Sequence, residues 1–393
     1  MVKKYEQLLP RPVLEKARDL YPHIAAGRIY VNHASTGPLS TRVLKAMESH
    51  LAKRSSGEID TYRSDVKIVG ACRSAVQRLI NAESPDRIAF VLNTSEGINI
   101  VASGLGWKPG DRIMVHNAEF PANVQPYYRL KRLGVEIDFL TTGDESVTPE
   151  MVERTLTGRT RLVALSAVQF LSGYHADLAA IGKICREKGV WFVVDGIQAV
   201  GAMRVDVQSM FIDALASGAQ KWQMSPHGTG FLYLTEALQE AIVPAYVGWL
   251  SVEDPWDFFN RDQPLVHTGR RFEGGTLNLP GIIGMNEAIA TFLEIGMDHA
   301  EAHILALSGL LTKLLDGAVG LKLCSPRDIE PRSGIVTVEP AAVRDLQRVM
   351  VQLAGRKIDI SLRSGKLRFS PHYYNTPQEI ETAVAAVREC LTT

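Results

Sequence analysis

Short unbroken apolar runs alternate with longer stretches of helical spacing between Arg87 and Leu234. Val135–Leu140 reads as a strand, and the runs Arg87–Leu92, Asp111–His116, Leu162–Val168 and Val190–Val194 lack the polar alternation of a half-exposed one. These four read as strands buried on both faces. Two further runs, Ile212–Ala216 and Gly230–Leu234, continue the series. Helical stretches fall at about 61–81, from Thr94 to about Leu105, from about Pro149, and over Asp177–Lys188. Strands alternating with helices predict an α/β fold with a mostly parallel central sheet flanked by helices.

The flanks differ. Residues 1–29 read as a short helical arm ending at Tyr21-Pro22 and Gly27, and Pro38 suits the first turn of the helix that follows. Residues 236–268 show no clean period and read as loops and short helices. From Pro280 to about Leu315 the spacing is helical, with a bend near Gly296. Strands at Leu321–Cys324, Gly334–Val338, Lys357–Ile360 and Lys366–Ser370 then alternate with helices, the last from Pro377, which makes a small α+β C-terminal domain. The expected organisation is an arm (1–29) packed on the small domain, a large domain (30–268), and a C-terminal domain (269–393) that includes the long connecting helix.

Composition narrows the partners. Lys plus Arg equals Asp plus Glu, 43 each, so nothing points to nucleic acid or an anionic membrane. No apolar run approaches a spanning helix, and the N-terminal stretch lacks the core of a signal peptide. The four cysteines, Cys72, Cys185, Cys324 and Cys390, are far apart with no CxxC spacing. That disfavours a disulfide framework or structural zinc and leads us to expect a reducing cytoplasm. His299 and His303 are four apart on a helix, but the intervening glutamate is misplaced for HExxH. They read as surface histidines, and no metal site is expected.

The candidate chemistry lies where strands end. Asp195 closes the run Trp191-Phe192-Val193-Val194, and Lys221 follows the next strand, 26 residues on. Open α/β sheets bind ligands beyond such ends. A lysine that can form a Schiff base and a carboxylate that can hold a proton on a pyridine nitrogen suggest a pyridoxal phosphate site, with Gln198 placed for the phenolic oxygen. An ordinary buried ion pair fits the same two residues, and taken alone they leave both readings open. Asn93-Thr94-Ser95-Glu96 opens a helix, which suits a phosphate cradle or simple capping equally. Gly104-Leu105-Gly106 follows that helix and fails as a dinucleotide fingerprint.

The run D-G-I-Q-A-V-G…A-L-A-S-G-A-Q-K-W…G-T-G-F-L-Y resembles the class V aminotransferase family of pyridoxal phosphate enzymes, which includes cysteine desulfurases, selenocysteine lyase, kynureninase and isopenicillin N epimerase. The resemblance spans roughly Tyr30 to Glu379 and implies the fold-type I architecture. It makes Lys221 the Schiff-base lysine, Asp195 the ring-nitrogen partner and Gln198 the phenolic-oxygen contact. It carries Thr94 and Ser95 to the cofactor phosphate and Phe120 to the stacking face of the ring. Ala34 and Ser35 become substrate contacts, and Arg368, in Leu367-Arg368-Phe369-Ser370, becomes the fork for the substrate α-carboxylate. The turn Phe272-Glu273-Gly274-Gly275-Thr276-Leu277-Asn278 resembles the family's F-E-x-G-T-x-N. Its Thr276 is implied to reach the phosphate of a neighbouring subunit, in a homodimer with shared sites.

The departures bear on the reaction. Gly218 and Gln220 stand where desulfurases carry a phosphate-binding serine and histidine, and Gln220 can still donate through its amide. Ser217 would reach the phosphate only with a one-residue slip. Gln169 stands near the family's cofactor-side asparagine. The stretch Ile360-Ser361-Leu362-Arg363-Ser364-Gly365-Lys366 holds no cysteine where desulfurases place their sulfur-accepting one, which disfavours a cysteine-relayed desulfurase. The leading expectation is an aminotransferase acting on an α-amino acid through an external aldimine and Cα deprotonation. The alternatives are a C–S β-lyase of a cysteine derivative and an amino-acid epimerase. A nucleotide-dependent Rossmann-type enzyme and a cofactor-free binding protein on the same fold stand outside this class.

Overall fold

The computed structural model describes residues 8–143, 145–341 and 345–392, so residues 1–7 of the expected arm and the final Thr393 lie outside them. The arm forms the helix Arg11–Arg18, a turn of helix at Pro22–Ala25, and a two-residue strand β1 (Ile29–Tyr30). Seven strands then build the large sheet: β2 (Ile88–Val91), β3 (Arg112–His116), β4 (Glu136–Leu140), β5 (Thr160–Ser166), β6 (Trp191–Asp195), β7 (Ala214–Gly218) and β8 (Gly230–Leu234). Their order is β2-β8-β7-β6-β5-β3-β4, and β8 runs antiparallel to both its neighbours while the other pairings are parallel.

Alternation explains why the runs look uniformly apolar. Phe192, Val194, Leu215 and Phe231 pack into one core, while Val193, Ala214, Ala216 and Leu232 pack into another across the sheet. Each fully buried Val, Leu or Phe contributes about 1.5–3 kcal/mol, so both faces must be covered. The helix Thr94–Gly104 is among those that cover one face, and Leu178–Glu187 among those on the other.

The C-terminal part holds β9 (Leu321–Leu323), β10 (Val336–Pro340), β11 (Ile358–Asp359), β12 (Ser361–Arg363) and β13 (Lys366–Phe369). Four of these make an antiparallel sheet of order β12-β13-β10-β9 around a third core with Val336, Val338, Leu367 and Phe369. The expected strand Lys357–Ile360 is in fact divided. Its β11 half pairs in parallel with β1 of the arm, and the chain turns at Ile360 into β12. The expected bend at Gly296 is a break between the helices Leu279–Ile295 and Met297–Leu315.

The arm is fastened to this end of the molecule. Arg18 pairs with Glu379 at 2.7 Å, and the Tyr21 and Tyr373 hydroxyls share a hydrogen bond of 2.7 Å. Here one expectation fails: His299 is exposed, but His303 is fully buried. Its ring accepts from the Leu9 amide at 2.9 Å and meets Asn375 O at 2.8 Å, so the arm itself covers that helix face. Pro38 also falls outside a helix, because Ser40 caps one that begins at Thr41 and runs to Ser56. Among the described residues there is no cluster of three metal-ligating side chains, and no helix long and apolar enough to cross a membrane.

Candidate active site

Parallel strands β5, β6 and β7 end side by side, and the crevice beyond them receives loops from the whole chain. Asp195, the last residue of β6, is buried at 2% exposure and accepts from the Ile197 amide at 3.0 Å. Burial pushes its carboxyl up to about 6, against the pull of that amide and of Lys221. Lys221 follows β7 by three residues. Burial brings its amine down to about 8; Asp195 opposes the shift, while Arg368 and Arg363 add to it. Its Nζ lies 5.7 Å from the ring centroid of Phe120, whose ring is half exposed and meets Phe170 edge-on at 5.4 Å.

Gln198 is held at both ends. Trp222 Nε1 donates to its Oε1 at 2.8 Å, and its Nε2 donates to Ala34 O at 3.0 Å. The Ala34–Gly37 turn is thereby tied to the lysine segment, and the Gly37 amide also donates to Gln220 O at 2.8 Å. A Cβ at Gly37 would stand 2.2 Å from the Lys221 carbonyl oxygen, so only glycine permits this approach. His33 supports the turn from beneath, with Nε2 2.8 Å from the Tyr374 hydroxyl and Nδ1 2.9 Å from Ser370 O.

The helix Thr94–Gly104 begins beside the end of β7. Asn93 Oδ1 accepts from the Glu96 amide at 3.0 Å, and Glu96 reaches back to the Leu92 amide at 2.6 Å. Thr94, almost fully buried, accepts from the Gly218 amide at 2.8 Å, which locks the helix start to the end of β7. A Cβ at Gly218 would meet Gln220 Oε1 at 2.6 Å and Thr94 Oγ1 at 3.4 Å. The missing side chain therefore leaves room between the Gln220 amide and the Thr94 hydroxyl. Ser95 stands beside them, part-buried, in the first turn of the helix, where amides lack intrahelical acceptors. Ser217 does not join this group. It is fully buried and its hydroxyl is engaged by Gln223 Nε2 at 2.9 Å.

Arg368 enters from β13 and is 2% exposed. Its Nε donates to Ser361 Oγ at 3.1 Å, Nη1 to Phe170 O at 2.5 Å, and Nη2 to Ser35 Oγ at 3.0 Å. Burial, with Arg363 adding to it, lowers the guanidinium to about 9. Two groups escaped the sequence reading. Arg363 Nη2 also donates to Ser35 Oγ, at 3.3 Å. Glu119 is buried beneath the crevice, accepts from the Ser166 amide and hydroxyl and from Gln169 Nε2, and sits close enough to Asp195 to repel it. Gln169 is thus spent on Glu119, and its Oε1 has no partner among the described residues. Hairpin alternation was the available signal for Arg363, since it puts Ser361, Arg363, Lys366 and Arg368 on one face. Glu119 left no signal in the sequence.

Thr276 stands apart. It is exposed, in a surface cleft with Phe90, Leu92, Glu96 and Thr229, and this chain does not bring it to Lys221. Glu273, in the same turn, is a buried anchor: it takes Arg73 at 2.8 Å and the Phe90 amide at 2.7 Å.

The donor set fits pyridoxal phosphate. A buried amine of lowered affinity for protons, a buried carboxylate, a half-exposed aromatic face and a side-chain-free cradle at a helix start occupy one crevice. A curated relative from Pyrococcus abyssi, described as a probable cysteine desulfurase, is 31% identical over 382 residues, 92% of this chain and 94% of the relative. One of the same description from Methanothermobacter thermautotrophicus is 29% identical, covering 90% and 92%. The apo structure of a cysteine desulfurase from Thermococcus onnurineus superposes with a TM-score of 0.88 at 27% identity, covering 98% of this chain and all of that one. Residues 29–382 match the family described as aminotransferase class V, and the chain belongs to that family of pyridoxal phosphate enzymes.

Proposed function

We propose that this chain acts at the Cα of an α-amino acid by an aminotransferase-type reaction, with no protein cysteine in the relay. The turn between β12 and β13 carries this reading. It has two residues, Ser364 and Gly365, with φ of 48° and 76°, the pattern of a tight hairpin. No cysteine lies on it. Cys324 follows β9, two strands across from β13, with its Sγ 3.6 Å from Lys322 O and 3.9 Å from Glu339 Oε2. Burial pushes that thiol up, away from the thiolate a sulfur acceptor needs.

Pyridoxal phosphate, when bound, supplies an electron sink for negative charge at Cα. In this proposal Thr94, Ser95 and Gln220 hold its phosphate, with Thr276 of a second copy added in a dimer. Phe120 covers the ring, Gln198 takes its phenolic oxygen, and Asp195 stabilises positive charge on the pyridine nitrogen. Arg368 orients the substrate carboxylate, and Ala34 and Ser35 line the same side. Lys221 Nζ, which burial keeps near its point of deprotonation, is the base for the Cα proton and returns it.

The relatives' description as probable cysteine desulfurases favours one second reading, elimination from a cysteine derivative, which needs the same lysine and arginine. Incubation with a panel of L-amino acids separates them. Formation of a 2-oxo acid with amino-group transfer to an added oxo acid supports transamination. Pyruvate with free ammonia and a sulfur product identifies the lyase. Loss of sulfide or alanine production in Cys324→Ser would restore the relay and overturn the proposal.

A further inference from the structure

Three cationic groups meet around the Ala34–Gly37 turn, and their partners do not balance them. Arg368 and Arg363 both aim an Nη2 at the same neutral oxygen, Ser35 Oγ, at 3.0 and 3.3 Å. The other bonds of Arg368 go to a carbonyl and a hydroxyl. Among the described residues neither guanidinium stands within ion-pair distance of a carboxylate. Lys221 is the third cation, and Asp195 is the carboxylate that acts on it. Like charges gathered in a partly buried crevice are costly unless an anion joins them. One α-carboxylate answers Arg368 and leaves Arg363 unanswered.

The placement of Arg363 is built rather than incidental. It is the last residue of β12, paired with Lys366 across the ladder, and the two-residue turn that follows fixes its backbone. Its side chain is exposed at the mouth, whereas Arg368 is buried, so the two present charge at different depths along one path. The bonds found for the two arginines go to Ser35, Ser361 and Phe170, and none goes to the Thr94–Gly218–Gln220 cradle.

We propose that Arg363 and Arg368 form a two-point clamp for an amino acid with an acidic side chain, Arg368 taking the α-carboxylate and Arg363 the distal acid. This rests on the amino-acid reading above and adds the substrate class to it. Planar guanidinium forks suit both acids. The clamp discriminates by charge number, because a neutral side chain would leave Arg363 without an anionic partner.

The test uses the cofactor-loaded protein and two unreactive acids of equal length, succinate and butyrate, titrated by calorimetry. Succinate is expected to bind about tenfold tighter or more. Arg363→Gln should bring the ratio close to one, Arg363→Lys should keep part of it, and Arg368→Gln should weaken both acids. Equal binding of the two acids by the unmodified protein overturns the clamp. So does an Arg363→Gln variant that weakens both acids alike, since the two arginines would then share one carboxylate. A parallel scan with L-amino acids separates the two levels. If amino acids alter the visible absorbance while succinate has no advantage, the clamp alone falls. If no amino acid alters it, the amino-acid reading falls and takes the clamp with it.

Discussion

The Trp222 indole donates from Nε1 to Gln198 Oε1 at 2.8 Å, so the residue beside Lys221 holds the amide three residues past Asp195. Gln198 passes the restraint on to Ala34 O at 3.0 Å. One buried amide thus joins the ends of β6 and β7 to the turn after β1. Trp222→Phe would keep an aromatic ring and remove the donor, leaving Gln198 Oε1 unsatisfied at a site with 3% exposure. The cost should be about 1–3 kcal/mol in chemical denaturation. A variant as stable as the parent would mean that water or a rotated amide replaces the bond.

Cofactor capture should report the state of Lys221. Burial lowers its amine to about 8, with Asp195 pulling the other way, and only the neutral amine attacks an aldehyde. The rate at which apo-protein takes up pyridoxal phosphate should therefore rise roughly tenfold between pH 7 and 9 and then level off. Arg363→Gln removes a neighbouring cation that disfavours protonation, so it should move the midpoint upward. Lys221→Ala should form no borohydride-reducible adduct at any pH. A rate climbing about tenfold per unit between pH 8 and 9 would show a lysine that burial does not perturb from 10.5.

Glu119 predicts a pH-dependent stability. Burial raises its folded-state value from 4.5 to about 7, despite the hydrogen bonds from Ser166. The folded protein therefore binds this proton more tightly than the unfolded chain does. The stability it contributes is complete below about pH 4.5 and is lost as pH rises through 7. Asp195 and Asp213 are also raised, so the informative quantity is the difference between Glu119→Gln and the parent. Relative to its value at pH 5, that difference should shift in favour of the variant at pH 8 by up to about 3 kcal/mol. A difference that does not move with pH would mean that Glu119 ionises freely in the fold.

Most strands were legible because two-sided burial writes itself as unbroken apolar runs, the edge strand β4 being the alternating exception, and the observed ends of β2 to β8 fall within two residues of most expectations. Direction was not: nothing in Gly230–Leu234 says that β8 runs against its neighbours. Of the helix Thr41–Ser56 only the start, near Pro38, was expected; its extent went unread because only Val43 and His50 are buried on it, too few to set a period. Within the site, Asp195, Gln198, Gln220 and Lys221 were readable because one continuous strand-and-turn segment presents them. Arg363 and Glu119 act through contacts 328 and 47 residues away, and His303 is buried by Leu9, 294 residues off. Apart from the hairpin alternation that puts Arg363 on the face of Arg368, residue type and spacing carry no trace of such meetings.

Thr276 gives the last prediction, which tests the proposed second copy. It is exposed and remote from Lys221 within one chain, yet Glu273 anchors its turn through Arg73 and the Phe90 amide. If its hydroxyl serves the phosphate of a neighbouring subunit, Thr276→Val should weaken cofactor binding by about 1.5–3 kcal/mol, the worth of a hydrogen bond to a charged group. Mixing then tests whose site is served. Lys221→Ala alone is inactive, and Thr276→Val alone is weak at limiting cofactor. In a reassorted dimer of the two variants, one site combines the intact Lys221 of one chain with the intact Thr276 of the other. Half the dimers would be of this kind, each with one whole site, so about one quarter of the parent activity should return at limiting cofactor. A mixture no better than the average of its parts would put Thr276 outside the shared site, and sedimentation as a monomer with cofactor bound would exclude it equally.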